Sequence, residues 1–130
     1  MEDRNTLIAR FQITNREETQ LPGVDGDWAN DARMAKTFTE GIEGGSEGLF
    51  ITSGQEEGKC AYMATERIIG TLSDGRSGSF VVQHGGLEAN SNSWFGYIVN
   101  GTGSGDLAGV AGSAVISHDD KGAHFTFVLE

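Results

Sequence analysis

The chain holds a single cysteine and a single proline in 130 residues. With only Cys60 present, no intrachain disulfide can form. Stability must then come from a buried core, and a chain this long can bury roughly two-thirds of the surface it exposes when unfolded. Positive charge is also scarce: 9 Lys and Arg stand against 19 Asp and Glu, for a formal net charge of -10. Such a chain repels phosphate backbones and anionic lipid surfaces, so nucleic-acid and membrane partners are disfavoured. No apolar run approaches the roughly 20 residues of a membrane-spanning helix. The stretch Met1–Arg10 lacks the basic start and apolar run of a secretory signal. The expectation is a soluble, cytoplasmic protein.

Glycine, by contrast, is abundant, at 20 residues. With one proline and a fair share of aromatic and β-branched residues, this density suggests tight turns and kinked strands rather than disorder. The length suits one domain spanning residues 1–130.

Strand signals recur at short intervals. In Thr6–Thr14, Leu7, Ala9, Phe11 and Ile13 alternate with more polar residues. Asn15–Asn30 breaks the pattern with Pro22, Gly23, Gly26 and several acidic residues, and reads as a long surface loop that Trp28 pins to the body. Asp31–Ile42 is the second predicted strand, with Met34, Lys36 and Phe38 on one face, and Gly44-Gly45 marks a turn. The remaining predicted strands are Ser46–Ser53, Lys59–Leu72, Arg76–Glu88, Ser93–Asn100, Gly112–His118 and Ala123–Glu130. No segment keeps a capped 3.6 period. The fold class is all-β. Eight short strands with short connections predict an antiparallel up-and-down β-barrel, whose closure removes exposed sheet edges.

The hairpin around Asp74-Gly75 is the most specific feature. A two-residue Asp74-Gly75 loop would set Glu66 opposite Gln83. A three-residue loop, with Gly75 left-handed and a bulge, would set Ile68 opposite Phe80, Glu66 opposite Val82 and Ala64 opposite His84. Side-chain partition favours the second. It gathers Tyr62, Ala64, Glu66, Ile68, Phe80, Val82 and His84 on one mainly apolar face. Met63, Thr65, Arg67, Ile69, Ser77, Ser79, Val81 and Gln83 fall on the other. A slip of one residue would flip a strand and mix both kinds.

In that register Glu66 and His84 are diagonal neighbours facing inward. A buried carboxylate must be paired or neutralised, and an adjacent imidazole can do so. The same two groups are the candidate catalytic residues, as an acid–base pair. Trp94 either fills the barrel or lines a cavity. Cys60 shares the parity of Tyr62 and faces inward as a small apolar residue. The glycine-rich segment Gly101–Gly112 lacks the Lys and the following helix of a nucleotide loop, and reads as a connection in which Asp106 caps a short turn. His84, His118 and His124 are not spaced as ligands on one element, so no metal is expected, and no cofactor motif is present. The apolar set Phe95, Tyr97 and Val99 suggests that part of the outer surface is covered, as in a homo-oligomer.

Several runs carry a resemblance. Glu66-Arg-Ile-Ile-Gly-Thr-Leu72 is followed by Gly75-Arg-Ser-Gly-Ser-Phe-Val-Val-Gln-His-Gly85. Lys36-Thr-Phe-Thr39, Gly41-Ile-Glu-Gly44 and Gly103-Ser-Gly-Asp-Leu-Ala-Gly109 accompany them. Together they resemble an uncharacterised family of small bacterial β-barrels of unknown function, related to allene oxide cyclase-like and dirigent-like barrels. The resemblance spans Asp31 to Glu130, with Glu66, Phe80, Gln83 and His84 at recurrent positions. It departs at Asn15-Arg16-Glu17, where members often carry a tryptophan, and at Ser104 and Asp106, where threonine and glutamate are common. It implies an eight-stranded barrel, usually with a cavity and often oligomeric. It implies no established activity.

Three functional readings follow. In the leading one, Tyr62, Glu66, Phe80, Val82, His84 and Trp94 line a cavity for a small, largely apolar or amphipathic ligand. In the second, Glu66 and His84 catalyse an isomerisation or cyclisation. In the third, the barrel is a structural, self-associating protein without ligand. Whether it is an enzyme stays open at this point.

Overall fold

The computed structural model describes residues 5–20 and 28–130. Eight strands follow in order: β1 (Thr6–Gln20), β2 (Ala29–Glu40), β3 (Ile42–Ser53), β4 (Ala61–Leu72), β5 (Ser77–Leu87), β6 (Asn90–Ile98), β7 (Gly112–Asp119) and β8 (Gly122–Leu129). Each pairs antiparallel with its neighbours in sequence, and β1 returns to β8 to close the barrel. No helix among the described residues is long and apolar enough to cross a membrane.

The β4–β5 hairpin has the bulged three-residue turn. The Gly75 amide donates to Leu72 O at 2.9 Å, the Leu72 amide to Arg76 O at 2.8 Å, and Gly75 sits at φ 94°. Asp74 reinforces the turn by accepting from the Arg76 amide and guanidinium. Ile68 opposes Phe80, Glu66 opposes Val82 and Ala64 opposes His84. The inward set is buried, apart from half-buried Tyr62. One outward residue, Ser79, is buried too, because the β6–β7 connection lies over it and Ser104 Oγ meets its amide and hydroxyl.

Several expectations need correction. The loop expected over Asn15–Asn30 is shorter: β1 continues to Gln20 and β2 begins at Ala29, paired from Asn15↔Ala35 to Gln20↔Asn30. Gln12–Glu18 is exposed throughout, so its sequence shows no inside–outside alternation. Pro22, Gly23 and Gly26 lie outside the described residues, and Trp28 is 61% exposed rather than packed down. The turn expected at Gly44-Gly45 is strand; the reversal is at Gly41, at φ 84°. Gly44 is needed because a Cβ there would lie 2.1 Å from Ile69 O on β4.

The barrel interior divides along its axis. One end, where β4–β5 and β6–β7 connect, is packed solid. Phe80, Val82, Ile98, Phe127 and Ile68 meet Leu107 and Val110 of the β6–β7 connection, which plug that end. Burying each such side chain contributes roughly 1.5–3 kcal/mol. The short 3-10 turn Gly105–Leu107 places Leu107, and Asp106 Oδ2 accepts from the Ser77 amide at 3.1 Å, tying the connection to β5 instead of capping its own turn. The other end is less filled, and a smaller cluster of Ala32, Phe50 and Ala64 packs there with Met34 and Tyr62.

Candidate functional site

Four strands deliver a polar cluster to the middle of the barrel. β2 contributes Lys36, β3 Ser46, β4 Tyr62 and Glu66, and β5 His84. Alternation places all five inward. Room for them comes from Gly48, which pairs with Glu66. A Cβ at Gly48 would press within 3.0 Å of the Phe50 ring and 3.3 Å of Glu66 Cβ.

Glu66 is the hub. Its Oε1 accepts from Lys36 Nζ at 3.0 Å and from His84 Nε2 at 2.8 Å, and its Oε2 accepts from Ser46 Oγ at 2.5 Å. Burial alone would raise this carboxyl, but the His84 hydrogen bond, the Lys36 charge and the Ser46 hydroxyl outweigh it and bring it down to about 2. Glu66 is therefore an anion. His84 then presents Nε2–H to it, leaving Nδ1 to accept the Tyr62 hydroxyl at 2.9 Å. Burial, and next the Glu66 charge, push Tyr62 above the ordinary phenol range, so it stays a donor.

Lys36 is less well supplied. Its ammonium has one carboxylate partner and three aromatic neighbours: Phe11 at 4.2 Å from the ring centroid, and Phe50 and Phe125 each at 5.1 Å. Burial pulls its pKa below the ordinary lysine value, against the charge and hydrogen bond of Glu66. The partners of this ion pair are unequal: the carboxylate is held charged by three donors, while the ammonium is the weaker member.

Above the cluster lies a cavity of about 230 Å³. At roughly 30 Å³ per liquid water, this equals about seven or eight waters. Its walls are Phe11, Phe50, Tyr62, Trp94, Ile116 and the Lys36 side chain, and Met34, Cys60, Glu88 and His118 stand at the rim. The aromatic walls brace one another, Phe50 stacking on Tyr62 at 6.1 Å and Tyr62 meeting Trp94 edge-on at 5.7 Å. Trp94 Nε1 donates to Leu87 O at 2.8 Å, which fixes its ring.

The structure thus distributes the residues singled out from sequence. Glu66 and His84 are joined directly but sit beneath the cavity floor, each 1% exposed. Tyr62 and Trp94 line the cavity. Phe80 and Val82 belong to the packed end, Phe80 against Phe127 at 5.8 Å. Lys36 and Ser46 are the members that sequence reasoning did not connect to the site. The three histidines lie apart: His84 inside, His118 at the rim against Trp94 at 5.6 Å, and His124 on the outer side near Asp119. Among the described residues, no group of three or more His, Cys, Asp and Glu could hold a metal ion.

A wider trough of about 550 Å³ crosses the outer face of β1–β5, lined by Glu17, Arg33, Glu47, Thr65 and Arg67. It is larger than the barrel cavity, yet its charged side chains Glu17, Arg33, Glu47 and Arg67 are exposed to solvent and alternate with uncharged ones such as Leu49 and Thr65. The converging, desolvated groups that chemistry requires are inside the barrel.

The comparisons agree with this architecture. The DUF3224 family, described as a protein of unknown function, matches residues 7–129. Among curated proteins none matches. A crystal structure of a protein of unknown function from the DUF3224 family, from Shewanella oneidensis MR-1, is similar with a TM-score of 0.77 and 26% identity. The match covers 96% of this chain and 95% of that one. The chain belongs to the DUF3224 family of small proteins of unknown function.

Proposed function

We propose that this barrel binds a small, largely apolar ligand carrying one neutral hydrogen-bond acceptor, such as a carbonyl oxygen. The observation that carries this reading is a donor, Lys36, on the wall of an otherwise mainly apolar cavity. The charge of that donor is already balanced by Glu66 at 3.0 Å, so an anionic ligand would add an uncompensated buried charge. Glu88 at the rim and a net charge of -10 further disfavour anions. A carbonyl oxygen meets Lys36 without adding charge. In this reading Glu66 and His84 orient Lys36 and Tyr62 on the cavity wall, and Phe80 and Val82 support the cavity from the packed end. A cytoplasmic location and the kinship with allene oxide cyclase-like barrels belong to the same proposal; the support for the kinship is a closed eight-stranded antiparallel barrel with a cavity at one end.

The test is a titration with acetophenone in a Trp28→Phe background, which leaves Trp94 as the only tryptophan fluorophore. Saturable change in Trp94 emission, matched by calorimetry, is expected, with loss in Tyr62→Ala. Absence of saturable binding of acetophenone and its ring-substituted analogues would end the proposal. Native mass spectrometry of protein from its own host would show any co-purified molecule.

A second reading, self-association, is favoured by a row of exposed apolar side chains across the outer sheet. Ile51, Met63 and Phe95 follow one another in register, Gly85 filling the β5 position. Tyr97 extends the row beside Phe95, their rings 6.4 Å apart. Size exclusion with light scattering at micromolar concentration tests it, and a monomer there would count against it.

A further inference from the structure

From the placement of Lys36 we infer a covalent function: its amine forms a reversible imine with the carbonyl carbon of the bound ligand, an aldehyde or unhindered ketone. This rests on the ligand reading above and goes beyond it.

Of the buried polar side chains, Lys36 alone combines three properties. Its side chain lines the cavity, whereas Glu66 and His84 lie under it. It is a nucleophile once deprotonated, and desolvation in an apolar site is how lysines are activated for carbonyl chemistry. Its proton has an acceptor beside it: Glu66 Oε1 is 3.0 Å away.

The step balances without an added reagent. The Lys36 ammonium passes one proton to Glu66, and the freed lone pair attacks the carbonyl carbon to form the C–N bond. The carbonyl oxygen collects two protons, both originally on the ammonium, and leaves as water. Nitrogen keeps one proton, so the iminium bears the same single positive charge as the ammonium it replaces. Glu66 remains its counter-ion, and the rings of Phe11, Phe50 and Phe125 that surround the ammonium surround the iminium. Nothing is oxidised or reduced. A buried ion pair contributes little to stability against an apolar replacement of similar volume. A reactive amine gives Lys36 a role that Met could not fill.

The experiment is reductive trapping of the unmodified protein with benzaldehyde and cyanoborohydride at neutral pH, followed by peptide mapping. The chain contains its own controls, Lys59 and Lys121, both exposed. Label concentrated on Lys36 above Lys59 and Lys121, with that excess lost in the presence of acetophenone, is expected. Lys36→Arg should remove the dominant adduct and leave the background on the other amines. Saturable acetophenone binding with label only on Lys59, Lys121 and the N-terminus would overturn the imine and leave the binding reading intact. Failure of both binding and labelling would overturn both.

Discussion

Lys36 Nζ and Glu66 Oε1 stand 3.0 Å apart with their side chains 3% and 1% exposed, so this is an ion pair in the interior of the barrel. Removing one member leaves the other charge buried and unmatched. Lys36→Met and Glu66→Gln should each destabilise the fold by about 3–5 kcal/mol. The double variant should cost clearly less than the sum, because the mismatch vanishes when both go. Chemical denaturation of the four proteins closes the cycle. Additive losses would mean that the two groups are not energetically coupled.

The same pair sets the acid response. Glu66 titrates near 2 in the folded chain against an ordinary 4.5, so the unfolded state binds its proton first as pH falls. The stability it contributes is present above about 4.5 and disappears as the pH drops toward 2, on the order of 3 kcal/mol. Asp119, held down by its hydrogen bonds to Arg10, acts in the same direction but at the surface. Lys36 acts in the same direction at the alkaline end, because there the fold disfavours its charged form. Its folded pKa lies below 10.5, so stability rises with pH between the two values. Thermal melts from pH 3 to 10 should show a falling acid limb, flattened in Glu66→Gln. An unchanged limb in that variant would assign the acid response elsewhere.

The β4–β5 hairpin was legible because its register is decided locally. Once Gly75 takes the left-handed position, every inward residue from Tyr62 to His84 follows by alternation. Lys36 was visibly on the inward parity of its strand with Met34 and Phe38, but its partner was not legible. It reaches Glu66 through two further ladders, Lys36↔Ser46 and Ser46↔Ile68, and no turn motif announces that register. Gly44-Gly45 misled for a related reason. A glycine pair within a strand marks close approach of a neighbouring backbone as well as it marks a turn, and the chemistry that separates the two is on β4. The wet β1–β2 extension hid itself by having no buried face to alternate against.

Gly75→Ala isolates the turn. A Cβ there meets nothing within 4 Å, so the only penalty is the left-handed backbone. The expected loss is about 1–2 kcal/mol with the barrel intact. Gly96→Ala is different in kind, since its Cβ would fall 1.7 Å from Ala114 O on β7. That variant should open the β6–β7 seam, seen as amide exchange rising in β6 and β7 well before the remaining strands. A uniform response around the barrel would argue against a local seam.

Stability and ligand recognition should separate along the barrel axis. Leu107 is 1% exposed in the plug at the closed end, and none of the cavity walls is contributed by the β6–β7 connection. Leu107→Ala should cost about 2–5 kcal/mol, as buried leucine truncations do, while acetophenone affinity at low denaturant stays within about twofold. Tyr62→Phe should lower both. It removes one hydroxyl beside the cavity and leaves Nδ1 of His84 without its donor, at about 1–3 kcal/mol in stability. Affinity for a carbonyl ligand should fall more than affinity for the matching hydrocarbon, because the loss loosens the His84 and Glu66 hydrogen bonds that orient the Lys36 donor, and the hydrocarbon uses no donor. Denaturation midpoints and paired titrations with acetophenone and ethylbenzene measure both axes at once. Equal loss for the two ligands would show that Tyr62 acts by shape alone, and lost affinity in Leu107→Ala would show that the plug and the cavity are one mechanical unit.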